Sequence, residues 1–200
     1  MSDPPDPPFL AERPTVRAAV EYAATMHTSQ LREADRAPFI LHPLEVAQLL
    51  RGREYPDEVV AAGVLHDVIE DAGVGLAELE EQFGPHVAAL VSAVTEPSPD
   101  GDYRERKAAL RNAVATAEPD AVAIYAADKV AKLRELRIRI ATTHHAADQD
   151  TLEHYWASLQ LLEERRLDDA LVRQLRFELE ALALLPPDGA NMESVATEHG

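Results

Sequence analysis

The chain has 200 residues, 46% of them hydrophobic, which is enough to bury one sizeable core. Its formal charge of −17 disfavours attachment to nucleic acid or to an anionic membrane, so neither partner is expected. With no cysteine there are no disulfides, thiolate metal ligands or thiol nucleophiles, which fits a reducing cytoplasm.

Residues 1–13, opening MSDPPDPPF, are rich in proline and acid and read as a disordered tail. Residues 186–200 read the same way, and 14–185 form one domain. No basic segment precedes an apolar one at the N-terminus, and no apolar run approaches the roughly 18 residues of a membrane span, so neither a signal peptide nor a transmembrane helix is expected. Within the domain the period is helical, without strand alternation. Pro14 opens a helix through about Leu31 with Ala18, Ala19, Tyr22, Ala23 and Met26 on its inner face. The loop READRAP follows. His42 precedes Pro43, which opens a short helix through Leu50, and Pro56 opens the next. Leu76 to Phe83 is amphipathic and stopped by Gly84, and Pro85 starts a helix through about Val94. After the loop EPSPDGDY come helices at Arg104–Ala117, Pro119–Ile140, 144–166 and 168–184. The expectation is an all-α bundle of about nine helices.

The helix from Pro56 carries His66, Asp67, Glu70 and Asp71 inside an apolar run that includes Ala61, Ala62, Val64, Leu65, Val68 and Ile69. Spacings of three and four residues put these polar groups on one side of a helix. An acidic face in water is the plain reading, yet the neighbours leave too little polar surface for one. Burying the groups unpaired would cost roughly several kcal/mol each, and a divalent cation resolves the conflict. Asp128 follows seven uncharged residues, Ala121 to Ala127. Either it pairs with Lys132 at i+4, or it is buried and needs another partner. His42, between Phe39-Ile40-Leu41 and Pro43, is either a hydrogen-bonded core residue or an N-cap-like side chain aimed off a helix end. Together His42, His66, Asp67 and Asp128 make a set of two imidazoles and two carboxylates. That set suits Mn²⁺, Fe²⁺ or Mg²⁺, with Zn²⁺ a further alternative.

The order His-Pro, then His-Asp with Glu-Asp three residues on, then Ala-Asp-Lys resembles that of HD-domain phosphohydrolases. The similarity is closest to the hydrolase domains of RelA/SpoT homologues and the stand-alone small alarmone hydrolases. It runs from about Ala18 to Arg137 and includes HTSQLR, PFILHPLEVAQLL, AAGVLHDVIEDAGV, LEEQFGPHVAALVSAVTE and YAADKVAKLREL. The resemblance implies an HD-domain helical bundle in which His42, His66, Asp67 and Asp128 hold one Mn²⁺. It implies that Glu70 and Asp71 position or activate the attacking water, and that Arg32 packs on a guanine base. The implied substrate is a phosphorylated nucleotide. The reaction is removal of pyrophosphate from the 3′ position of guanosine tetra- or pentaphosphate or, as in some members, of the 2′-phosphate of NADPH. Lys129 and Lys132, with Arg32, would offset substrate charge. A regulator that binds nucleotide without turning it over is the rival.

This chain departs from that pattern in three places. Arg-Lys becomes Arg32-Glu33, Gly-Gln becomes Ser29-Gln30, and the asparagine after Asp-Lys-x-x becomes Lys132. One position loses a positive charge and another gains one, so the cation that meets the phosphates is expected to have moved from the loop to the helix of Asp128. The bland alternative leaves Glu33 in solvent and Lys132 paired with Asp128 or Glu135. Of the remaining histidines, His27 reads as structural or adjacent to the ligands, and His144, His145 and His154 as surface or packing residues. His86 is the only histidine between Asp67 and Asp128, which favours a single ion. Tyr155 and Trp156 are expected to fill core.

Overall fold

The computed structural model describes residues 13–166 and 170–184. The expected tails lie outside the described residues, apart from Arg13. Among the described residues there are ten helices and no strand, only a bridge between Leu31 and Pro38. No helix among the described residues is long and apolar enough to cross a membrane.

In chain order the helices are α1 (Pro14–Met26), α2 (Leu41–Arg51), α3 (Asp57–Leu65), α4 (Val68–Ala72), α5 (Leu76–Phe83), α6 (Pro85–Val94), α7 (Tyr103–Thr116), α8 (Pro119–Thr143), α9 (Gln149–Arg166) and α10 (Ala170–Ala183). Proline at the first helical position starts α1, α6 and α8, where its missing N–H costs nothing. Asp102 and Glu105 close a reciprocal capping box at the start of α7. Gly84, at φ 87°, ends α5 and begins α6, a backbone conformation that side chains other than glycine rarely adopt.

Helix α3 is the axis of the molecule. Val59 through Leu65 are all buried, and α1, α2, α6 and α8 pack round it. A valine or leucine fully withdrawn from water contributes about 1.5–3 kcal/mol, so this segment is held in place from every side. Its approach to α2 is close: a Cβ at Gly63 would lie 2.5 Å from Leu50 Cδ1 and 3.4 Å from Val46 Cγ1. Helix α8 is the second long buried element, and α10 docks on it through Glu178. That buried carboxylate accepts from Arg134 Nε at 3.0 Å and Arg137 Nη1 at 2.6 Å.

Four expectations need correction. The first helix ends at Met26 rather than Leu31, because the His27 imidazole turns to Gln30 and the chain folds into the loop. Ala18 faces out, and Val16, Ala19 and Ala23 form the inner face. The helix from Pro56 is interrupted at His66-Asp67, which divides it into α3 and α4. His66 Nδ1–H donates to Gly63 O at 2.8 Å, taking the carbonyl that a continuing helix would offer to the Asp67 N–H. Finally, Tyr155 is buried but Trp156 is 45% exposed, on the outer side of α9.

Candidate metal centre

Three helices and one helix break bring the two-histidine, two-aspartate set together. His42 is the second residue of α2, not a cap, since the N-cap position belongs to Ile40. His66 ends α3, Asp67 occupies the break, and Asp128 lies in the buried middle of α8. All four side chains are buried.

The facing atoms are close. His42 Nε2 lies 3.3 Å from His66 Nε2, 3.4 Å from Asp67 Oδ2 and 3.2 Å from Asp128 Oδ1. His66 Nε2 lies 3.0 Å from Asp67 Oδ2 and 3.4 Å from Asp128 Oδ1. Ligands about 2.1 Å from a shared centre stand about 3.0 Å apart at octahedral angles and about 3.4 Å apart at tetrahedral ones. His42, His66 and Asp128 offer atoms that are mutually within 4.8 Å.

Hydrogen bonding explains why the set calls for a cation. The far nitrogen of each imidazole is committed as a donor, His66 Nδ1 to the Gly63 carbonyl and His42 Nδ1 to Glu135 Oε1 at 3.0 Å. Each Nε2 is then the nitrogen that can give up its proton and offer a lone pair to a cation held beside the carboxylates. Asp67 Oδ2 and Asp128 Oδ1 are buried without a hydrogen-bond partner. Burial alone would push the His66 imidazole down, but the charge of Asp67 and the Asp128 oxygen lift it to about 10. His42 is likewise raised despite its burial, by Asp128 and Glu135. Burial would raise the Asp67 carboxyl, and His66 and Lys132 hold it well below its ordinary value instead. Positive charge is wanted at the point where these four atoms meet.

Glu70 and Asp71 lie on α4, at the exposed edge of the centre. Each carboxyl is open to solvent on one side and crowded by protein on the other. That crowding, with the charge of Asp67, raises both. Glu70 Oε1 accepts the Glu96 N–H at 2.5 Å. His27 Nδ1 meets Gln30 Oε1 at 2.7 Å, and Gln30 Nε2 donates to the Asp71 carbonyl at 2.8 Å, which ties the end of α1 to α4.

A cavity of about 280 Å³ adjoins the centre. Lys129, Lys132 and Glu135 of α8 wall it on the side of His42, Asp67 and Asp128, and Tyr103, Lys107, Arg139, His154 and Tyr155 complete much of the lining. Four cations (Lys107, Lys129, Lys132, Arg139) face two carboxylates (Glu33, Glu135), in a chain whose overall charge is strongly negative. Lys132 Nζ points inward, 3.3 Å from Asp128 Oδ1 and 3.6 Å from Asp67 Oδ1. Lys129 is buried, 2.7 Å from Asp128 Oδ2 and over the ring of Tyr125. The Glu33 side chain is 88% exposed and reaches Arg139 Nη1 at 3.7 Å. Arg32 pairs with Asp35 and stands 3.7 Å from Glu135 Oε1.

Sequence reasoning overlooked Glu135, Lys107 and Arg139 as neighbours of the site. Glu135 had a usable signal, because seven residues is two turns, placing it on the Asp128 stripe of α8. Lys107 and Arg139 lie in ordinary charged helical stretches with no such mark.

A family model described as HD domain matches residues 19–160. The GTP pyrophosphokinase of Myxococcus xanthus is 41% identical over 83 residues, which are 42% of this chain and 11% of that protein, so this chain spans about a tenth of that relative. The guanosine-3′,5′-bis(diphosphate) 3′-pyrophosphohydrolase of Drosophila melanogaster is 33% identical over 135 residues, 65% of this chain and 75% of that protein. A solved structure described as a metazoan orthologue of SpoT that hydrolyses ppGpp superposes with a TM-score of 0.72 at 24% identity, covering 92% of this chain and 100% of that one. At that identity the likeness is one of fold.

Proposed function

The chain belongs to the HD domain family, and from that premise we propose that it is a metal-dependent phosphohydrolase of phosphorylated nucleotides. Its proposed reaction is removal of the 3′-pyrophosphate from guanosine 3′,5′-bis(diphosphate). The observation that carries this reading is the pair of orphaned, buried aspartate oxygens set against two imidazoles whose other nitrogens are already committed. The cationic cavity beside them supports an anionic substrate.

His42, His66, Asp67 and Asp128 would hold the ion; imidazoles and carboxylates without thiolate suit Mn²⁺, Fe²⁺ or Mg²⁺ better than Zn²⁺, and Mn²⁺ is the choice that the family resemblance implies. When bound, such an ion supplies Lewis-acid polarisation of a phosphoryl oxygen and makes water a nucleophile near neutral pH. Glu70 is proposed to orient the attacking water and take its proton. Its bond from the Glu96 N–H fixes one carboxyl oxygen, and its raised pKa brings it nearer the useful range for a general base. Asp71, anchored by Gln30, assists in placing that water. Lys132, with Lys107 and Arg139 on the cavity wall, offsets phosphate charge, while Lys129 acts mainly by fixing Asp128. Arg32 offers a planar guanidinium, oriented by Asp35, on which a base can stack.

One observation favours a second reading. The ammonium of Lys132 reaches both aspartates and that of Lys129 reaches Asp128, so two lysines already offset two carboxylate charges. A nucleotide-binding regulator without turnover would need no more than this. Phosphate and pyrophosphate release should be measured with Mn²⁺ across a panel that includes guanosine 3′,5′-bis(diphosphate) and NADPH. Pyrophosphate release from the former supports the proposal, and phosphate release from NADPH alone moves the activity to the 2′-phosphate. Binding without release of either product supports the regulator.

A further inference from the structure

We propose that Glu135 is a positioning residue, which fixes His42 in the tautomer a metal ion requires and links that ligand to Arg32 in the loop before α2. The inference rests on the metal-centre reading above, and it concerns a residue outside the ligand set.

The two imidazoles are oriented by different means. His66 is held by a backbone carbonyl inside its own helix, Gly63 O. No side-chain replacement elsewhere removes that bond. His42 has no such local partner. Its Nδ1 meets a carboxylate 93 residues away, Glu135 Oε1, at 3.0 Å. An ionised carboxylate can only accept, so Nδ1 keeps its hydrogen and Nε2, which faces His66, Asp67 and Asp128, is the nitrogen left to exchange its proton for an ion. Without Glu135 the ring has no partner to prefer that tautomer, and the other one would turn an N–H towards the point where an ion must sit. His42 is 1% exposed, so water cannot readily replace the lost acceptor.

The same carboxylate oxygen faces a second group. Arg32 Nη1 lies 3.7 Å from Glu135 Oε1, and Arg32 is itself bound to Asp35 in the loop before α2. Glu135 also lines the cavity. It therefore stands where the buried centre, Arg32 and the cavity meet. Asp128, Lys132 and Glu135 occupy successive turns of one face of α8, so that one helix face supplies a ligand, a cavity cation and the carboxylate that orients the opposing ligand.

The test compares Glu135→Leu, which keeps bulk but has no acceptor, with Glu135→Gln, which keeps an acceptor oxygen. Mn²⁺ affinity is measured by competition with a fluorescent chelator. Helical circular dichroism and cooperative unfolding check that both variants are folded. Loss of a partner that orients a ligating histidine weakens metal binding by roughly 10–100-fold, which is the expectation for Glu135→Leu, with Glu135→Gln restoring most of it. Imidazole proton–nitrogen correlation spectra without added metal give a second readout. The His42 Nδ1–H signal should vanish in Glu135→Leu, while that of His66 stays.

Equal Mn²⁺ affinity in the unsubstituted protein and in Glu135→Leu overturns the assignment, as does a His42 Nδ1–H that survives in that variant. If the unsubstituted protein binds no divalent ion, the metal-centre reading fails, and the imidazole spectra still decide whether Glu135 sets the His42 tautomer.

Discussion

Replacing Lys132 by asparagine should tighten Mn²⁺ binding and weaken substrate binding at the same time. An ion entering the centre shares the Asp67 and Asp128 carboxylates with an ammonium 3.6 Å and 3.3 Å from them. The Lys132 side chain is about a third exposed, so solvent screens these contacts and a water-like dielectric is the appropriate lower bound. Even there, each is about 1 kcal/mol by Coulomb's law, or about 2 kcal/mol together. That corresponds to roughly 30-fold tighter Mn²⁺ binding in Lys132→Asn, readable by chelator competition. Substrate KM should move the other way, because one of the four cavity cations is gone. Adding Glu33→Lys should recover part of the lost substrate affinity if the cation has moved between loop and helix. Mn²⁺ affinity that is unchanged or lower in Lys132→Asn would refute the competition. Strictly additive effects of the two substitutions on substrate binding would leave the exchange without support.

Three further outcomes are expected. Glu70→Gln should keep its Mn²⁺ and lose at least roughly a hundredfold in turnover, whereas Asp67→Ala should lose both ion and turnover; unchanged turnover in Glu70→Gln would show that this carboxylate is not the base. Burial and the nearby charges of Lys129 and Arg111 push His154 down to about 2, and Arg111 Nη1 donates to its Nδ1 at 2.6 Å, so the folded state keeps this ring neutral. Unfolded chains take up that proton below about pH 6.5 and folded ones do not, so stability falls with pH between about 6.5 and 2, at up to about 1.4 kcal/mol per unit. Urea unfolding at pH 6.5 and 5 should show His154→Gln losing about 2 kcal/mol less than the unsubstituted protein, and parallel losses would contradict the assignment. Gly63→Ala forces its methyl against Leu50 Cδ1; overpacking costs about 1–3 kcal/mol and helix propensity returns up to about 1, so urea unfolding should show a net destabilisation.

What could be read in advance depended on punctuation and on contrast. The limits of α5 and α6 were legible because Gly84 and Pro85 mark them. His42, His66, Asp67 and Asp128 stood out because each interrupts or adjoins an apolar stretch that leaves no solvated face. Glu135 was easy to pass over: it lies among Arg134, Arg137 and Arg139, and only its two-turn spacing from Asp128 marks it as turning inward. The break after Leu65 was equally silent, since it arises from a side chain competing for a carbonyl of its own helix. Trp156 misled because its size suggests a core. The inner face of α9 instead runs through Tyr155, Ser158, Leu159 and Leu162, and the next residue round the helix is turned away.

The contrast between the cationic cavity wall and the acidic chain has a kinetic consequence. On the proposed function, a phosphorylated substrate approaching a body of charge −17 is repelled at long range, yet the cavity wall proposed to receive it carries four cations and two carboxylates. Salt separates the two effects, because the screening length is about 30 Å at 0.01 M and about 8 Å at 0.15 M. Moderate ionic strength removes the distant repulsion while leaving contacts of a few ångströms largely intact. Association should therefore speed up from dilute buffer towards physiological salt and slow only beyond it, the reverse of an enzyme whose whole surface draws its substrate in.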